Sequence, residues 1–251
     1  MHVLRVDMRF AGQRPADGPA VHMNLYLGAL SMNGQVCGSD WPIVIENGCC
    51  VATVLAPAAD SLDERYHGTH VRQRIAEAQQ AGITFAWSVI GEQSDSAQAC
   101  GCADPSAFLL FTTYLTVESP VQCMDCFGVV PLYRFTAPPD ADFYDVMSWQ
   151  SNYQSCDQLQ MNCTVLEQAA TRQMSAVDSA LSAAGRSCCA TLSERAGKPF
   201  YYYLYRGKPP RCPGSAATLS GLRCIMAFAR DTAWNVRFPV RPVPAIVEPC
   251  L

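Results

Sequence analysis

Gln98-Ala99-Cys100-Gly101-Cys102, then Cys123-Met124-Asp125-Cys126-Phe127-Gly128, then Val129-Val130-Pro131-Leu132-Tyr133-Arg134-Phe135: this stretch sets two closely spaced cysteine pairs 20 residues apart. Their spacings are C-x-C and C-x2-C. The segment between them, 107–117, is rich in β-forming residues (Phe108, Phe111, Thr112, Thr113, Tyr114, Thr116, Val117). A strand that carries the chain away from one pair and returns it to the other builds a small knuckle. Four thiolates arranged in this way suit a closed tetrahedral zinc site. The spacing therefore predicts a structural Zn2+ on Cys100, Cys102, Cys123 and Cys126. Four cysteines that merely pack, a disulfide, or a different metal are the other readings of the same residues.

Working outward, the chain has 251 residues, of which 49% are hydrophobic and only 16% charged. That is enough apolar material for two modest domains and excludes a disordered chain. The low charge fraction points to buried interfaces, a homodimer among them. No apolar run reaches the length of a membrane-spanning helix, so no membrane association is expected. The first ten residues alternate apolar with polar, which reads as a strand rather than a signal peptide, and a cytoplasmic location follows. Fourteen cysteines in a reducing compartment favour metal ligation or plain burial over disulfides. Cys37 and the adjacent Cys49-Cys50 read as core residues, because neighbours on a strand point to opposite faces and cannot share one metal.

Residues 1–10 predict a strand, and Val21–Met32 a helix closed by Asn33-Gly34. Residues 41–46 and 49–55 predict two strands joined by Asn47-Gly48, a dipeptide suited to a type I′ turn. Ser61-x2-Glu64 has the form of a capping box and predicts a helix to Ala81, closed by Gly82. Residues 83–90 predict another strand. The order β-α-β-β-α-β is that of the ferredoxin-like split βαβ unit. His67 and His70 fall three apart on the second helix, as a solvated polar face or, with a third ligand, a metal pair.

The polar stretch 91–98 predicts a domain boundary. Three segments result: a ferredoxin-like domain over 1–95, a zinc-knuckle-containing, cysteine-rich α+β domain over 96–207, and an irregular, basic, proline-rich tail over 208–251. In the second segment Val129–Phe135 predicts a strand and 142–163 a helix. Asp178 predicts the cap of another helix that Gly197 ends. Lys198–Arg206, with Tyr201-Tyr-Tyr-Leu-Tyr205, reads as an aromatic strand, either half-buried or a base-stacking platform. Four prolines in the last 13 residues exclude a regular central element from the end of the tail.

The net charge of −4 is unevenly spread: residues 1–194 hold 9 basic and 20 acidic side chains, and residues 195–251 hold 9 basic and 2 acidic. Such asymmetry suggests an anionic partner such as nucleic acid, contacted through Lys198, Arg206, Lys208, Arg211 and Arg223, or a basic tail folded onto an acidic body.

Several phrases together carry a family resemblance: Pro105-Ser-Ala-Phe-Leu-Leu-Phe-Thr-Thr-Tyr-Leu115 with Glu118-Ser-Pro120, Cys123-x2-Cys126-Phe-Gly128, Val130-Pro-Leu-Tyr-Arg134, Trp149 with Cys156-Asp-Gln-Leu-Gln-Met161, Asp178-Ser-Ala-Leu-Ser182 with Gly185-Arg186, and Pro199 with Tyr201–Arg206. They resemble an uncharacterised bacterial family described as containing a zinc ribbon and proposed to bind nucleic acid. The resemblance implies a terminal ribbon that opens C-P-x-C-G-G and closes with C-x2-C. Here Arg211-Cys212-Pro213-Gly214 opens it, but Ser215-Ala-Ala stands where Cys-Gly-Gly is expected. Cys212 and Cys224 alone cannot close a four-ligand site. The inner four cysteines are then the complete set at ligand spacing. The function expected is a zinc-binding, non-catalytic protein. A Cys123-x2-Cys126 thiol redox protein and a protein–protein interaction module are the alternatives.

Overall fold

A computed structural model describes residues 1–12, 18–94, 96–135 and 142–206. It is a mixed α+β structure with two sheets.

Strand β1 (His2–Phe10) alternates strictly: Leu4, Val6 and Met8 are fully buried while the residues between them face the other side. Helix α1 (Pro19–Met32) starts on a proline, whose missing N–H costs nothing there, and ends at Asn33. Strands β2 (Ile43–Glu46) and β3 (Cys49–Ala56) form the expected hairpin, with φ of 50° at Asn47 and 81° at Gly48. Helix α2 (Thr69–Gln80) and strand β4 (Ile83–Glu92) follow. The sheet order is β2-β3-β1-β4, with every neighbouring pair antiparallel. Its core includes Leu4, Val6, Met8, Leu27, Leu30, Val54 and Val71. Cys50 is buried and Cys49 only half-buried, as opposite strand faces require, and Cys37 is buried.

The second sheet is small. Strand β5 (Phe108–Leu110) pairs antiparallel with β6 (Val121–Cys123) and parallel with β7 (Phe200–Tyr202). Between β6 and β7 lie helices α3 (Tyr144–Asn162), α4 (Glu167–Ser175) and α5 (Ala180–Ala196). A separate cluster includes Phe108, Leu110, Phe135, Trp149, Leu192 and Phe200, so the described residues form two hydrophobic cores. Gly185 lets α5 lie against the rings of Trp149 and Tyr202: a Cβ there would come within 2.2 Å of Tyr202 Cε2 and 2.7 Å of Trp149 Nε1.

The cores meet through a buried polar joint. Tyr133 OH and Ser61 Oγ share a hydrogen bond of 3.0 Å, and the rings of Tyr66 and Tyr133 are 4.5 Å apart. Gln35 Nε2 donates to the Ser61 carbonyl (2.6 Å), and Asn33 Nδ2 donates to Gln35 Oε1 and the Tyr66 carbonyl (both 2.7 Å).

Several elements differ from the sequence expectation. Ser61 does not cap a helix: its Oγ accepts the Ala58 N–H at 2.8 Å and is committed to Tyr133. Only a 3-10 turn, Glu64–Tyr66, forms there, and α2 begins after Gly68. His67 therefore lies before the helix, buried with Nε2 3.2 Å from the Leu62 carbonyl, while exposed His70 lies 3.6 Å from Asp142. The two imidazoles form neither a solvated face nor a metal pair. The long strand expected over 107–117 is cut to three residues, because α3 competes for its backbone. Gln154 Nε2 donates to the carbonyls of Thr113 (3.2 Å) and Thr116 (2.6 Å), and Asp157 accepts the Tyr114 N–H at 2.8 Å. Pro131 leads into a 3-10 turn, Leu132–Phe135, instead of a strand. Ser179, not Asp178, caps α5, its side chain accepting the Ser182 N–H. Tyr202 and Tyr205 pack against the second core rather than forming an open platform, and the strand there is only Phe200–Tyr202.

Candidate metal centre

Strand β6 ends on Cys123, and the chain turns back at once. The Cys123 carbonyl accepts the Phe127 N–H (2.9 Å) and the Cys123 N–H donates to the Gly128 carbonyl (2.9 Å). The reversal places Phe127 at φ 57°, a left-handed conformation that side chains rarely adopt. It also turns two backbone N–H groups onto sulfur: Asp125 N–H toward Cys123 Sγ and Gly128 N–H toward Cys126 Sγ, both at 3.4 Å. Sulfur is a weak acceptor as a thiol and a better one as a thiolate, so these bonds favour the ligating form.

The C-x-C segment is laid against this loop. Cys100 N–H donates to the Val129 carbonyl and Val129 N–H to the Gln98 carbonyl, both at 2.9 Å. Gly128 makes the approach possible, since a Cβ there would sit 2.7 Å from both Cα and N of Cys100. Arg134 Nη1 holds the Cys100 carbonyl at 3.4 Å. Asp125 ties the loop after Cys102 to the knuckle by accepting the Ser106 N–H (2.7 Å) and the Ser106 hydroxyl.

The result is one cluster: the Sγ atoms of Cys100, Cys102, Cys123 and Cys126 all lie within 4.8 Å of one another. A tetrahedral site with metal–sulfur bonds of about 2.3 Å needs sulfurs roughly 3.8 Å apart. The donor set therefore fits a metal ion with small adjustments. Cys123 and Cys100 are buried, Cys102 half-buried, and Cys126 exposed. As free thiols they perturb one another. The Cys102 thiol is pushed up to about 12, first by its hydrogen bond to Cys126 and then by burial. Burial also raises Cys100. Burial acts the same way on Cys126, but the Gly128 N–H and the neighbouring thiols outweigh it, and Cys126 falls below its ordinary value.

The basic residues are not gathered in this way. Lys198 Nζ is paired with Asp104 Oδ1 at 2.7 Å, Arg206 is exposed, and Lys208, Arg211 and Arg223 lie outside the described residues, as does the expected terminal ribbon. Sequence reasoning found the four sulfurs but missed Gly128, Arg134 and the Asp125–Ser106 clasp. Only the glycine left a sequence signal, standing two residues after Cys126.

Comparison with known proteins bears on kinship. An uncharacterized protein of Haemophilus influenzae is 33% identical over 189 residues, spanning 73% of this chain and 72% of the relative. This chain belongs to that uncharacterised bacterial family. A second uncharacterized protein of the same organism is 36% identical over 126 residues, covering 50% of this chain and 62% of its own length. Two domains of unknown function match separate parts: one (DUF8589) residues 1–91, the other (DUF2310) residues 102–205. No solved structure matches. The second domain match starts on Cys102 and contains three of the four cysteines, while the first covers the four-stranded sheet through Gly91. Among the described residues of this family member, no helix is long and apolar enough to cross a membrane.

Proposed function

We propose that this protein is a structural zinc protein that acts by binding rather than by catalysis, with Cys100, Cys102, Cys123 and Cys126 as the zinc ligands. The observation that carries this reading is the convergence of four Sγ atoms within 4.8 Å, two of them already accepting backbone N–H groups. Four thiolates occupy every position of a tetrahedral ion and leave none for an activated water. Bound there, the ion would join β6 and its turn to the C-x-C segment, a region with little regular secondary structure of its own. Tetrahedral sulfur ligation suits zinc or iron, and zinc is the reading adopted.

The finer architecture belongs to the same proposal. The antiparallel order β2-β3-β1-β4 supports a ferredoxin-like unit over residues 1–95. The separate second core supports a zinc-knuckle domain over 96–207, followed by the basic tail 208–251. A cytoplasmic location is part of the same reading, since a four-thiolate site keeps its reduced form in a reducing compartment. For the basic segment 195–251 the reading includes an anionic partner, nucleic acid, supported by its charge balance. Lys198 would contribute only by leaving Asp104.

Metal analysis with native mass measurement, on protein purified without chelator, tests the centre. One zinc per chain, lost in the C123S/C126S variant, is the expected result. Metal-free protein carrying a reversible Cys123–Cys126 disulfide would overturn it in favour of a thiol redox protein. That second reading draws on the exposed, more acidic Cys126. Against it, no helix opens at the motif; the chain runs into the bridge at Val129. A nucleic-acid titration should weaken steeply with salt, and a flat one rejects that part.

A further inference from the structure

The four-stranded sheet ends on β4, whose outer edge pairs with no strand among the described residues. At ten residues β4 is long for an edge strand. From Ile83 to Val89 it pairs with β1 without interruption, and the register slips only beyond, where Leu4 faces Val89 but Val3 faces Gly91. Folded proteins normally blunt a free edge with lysine, proline, a bulge or shortness. The run Ile83-Thr-Phe-Ala-Trp-Ser-Val89 has no charge, no proline and no irregularity. Large apolar side chains stand open along it and just past it: Trp87 is 36%, Val89 44% and Ile90 56% exposed. The opposite edge is guarded, since β2 has four residues and ends on Glu46, which is paired with Arg5 at 2.7 Å.

We propose that β4 is a dimer interface and that its occupant is β4 of a second copy, paired antiparallel about a two-fold axis through Ala86. The strand's own pattern selects a copy of itself. A two-fold axis perpendicular to the sheet keeps every side chain on its own face. On the face that carries the buried side chains, Phe85 meets Trp87 of the second copy and Ile83 meets its Val89, aromatic with aromatic and β-branched with β-branched. On the other face Thr84 meets Ser88 and Ala86 meets Ala86, small and uncharged residues with no like charges opposed. Symmetry supplies this match at every position, whereas a foreign strand would have to reproduce it. The two sheets then become one continuous sheet and the open edge disappears. The proposal does not rest on the metal centre.

Light scattering after size exclusion and native mass measurement on the full chain test it. At micromolar concentration the expected mass is twice 27.3 kDa. Val89→Lys and Ile90→Lys alter exposed side chains outside the core, and each should halve the mass while leaving the far-UV circular dichroism unchanged. Val44→Lys on the β2 edge, also at an exposed residue, should leave the dimer intact. Hydrogen exchange should show amides within Thr84–Ser88 becoming more protected as concentration rises. A monomeric wild type, a dimer that survives both β4 substitutions, or self-association replaced by a complex of β4 with a different protein would overturn the proposal.

Discussion

Replacing Gly128 by alanine isolates the packing that assembles the four-cysteine cluster proposed to hold the metal. The new Cβ would lie 2.7 Å from Cα and N of Cys100 and 3.0 Å from the Ala99 carbonyl carbon. A comfortable contact needs about 3.5 Å, so the two segments must part by roughly 0.8 Å. All three obstructing atoms are backbone, and no rotamer change relieves them. The segments are also clamped by the Cys100–Val129 and Val129–Gln98 hydrogen bonds, both 2.9 Å. Overpacking of this kind costs about 1–3 kcal/mol. Sulfur–metal distances tolerate only about 0.2 Å, so the same separation reaches the proposed ligands. The expected loss of metal affinity is about 5- to 150-fold. Gly101→Ala is the control: it lies between two of the clustered cysteines, yet its Cβ would meet nothing within 4 Å. Competition against a chromophoric chelator, with denaturant unfolding of both variants, reads the effect. A Gly128→Ala protein that binds zinc and unfolds like the wild type would refute the reasoning, as would an equal loss in Gly101→Ala.

Three further outcomes are expected. Gly185→Ala should destabilise the fold by about 1–3 kcal/mol in denaturant unfolding and disturb the Trp149 near-UV signal, because its Cβ would sit 2.2 Å from Tyr202 Cε2 and 2.7 Å from the indole nitrogen; an unchanged midpoint would remove Gly185 from the helix contact. Burial lowers the His67 imidazole below its ordinary 6.5, so the fold prefers it neutral; its stabilising effect is present above pH 6.5 and lost as pH falls through the depressed value, and unfolding midpoints should decline through the weakly acidic range in the wild type but less in His67→Gln. In chelator-treated protein, limited alkylation near neutral pH should label Cys126, whose thiol is lowered, ahead of Cys102, pushed up to about 12; zinc should protect both, and equal labelling by peptide mass analysis would contradict the hydrogen-bond pattern among the sulfurs.

Much of the amino-terminal unit was legible because its signals are local. The alternation in His2–Phe10 and the Asn47-Gly48 turn describe their own neighbourhoods and needed no partner to be read. The same holds for the C-x-C and C-x2-C spacings, each of which puts the two sulfurs of its own pair within reach of one ion before any fold is known. Elements decided by distant residues were not legible. Ser61 has a capping-box pattern, but Tyr133, 72 residues away, claims its hydroxyl. The β-rich run after Ala107 loses its strand to Gln154 and Asp157 on α3. Helix α4 went unread because the turns before it use left-handed Cys163 and Leu166, at φ 53° and 57°, where glycine or asparagine would have announced them.

By itself, the sequence determined the strands and hairpin turn of the amino-terminal sheet and the spacing of the thiols, because φ/ψ preference, side-chain alternation and ligand spacing act over a few residues. Tertiary structure decided what those parts do together. It brought the two cysteine pairs within one cluster by seating Gly128 on the backbone of Cys100. It also paired Lys198 with Asp104 and, among the described residues, left the outer edge of β4 without a paired strand. Each depends on atoms far apart in the chain, whose approach is set by packing and hydrogen-bond satisfaction over the whole fold.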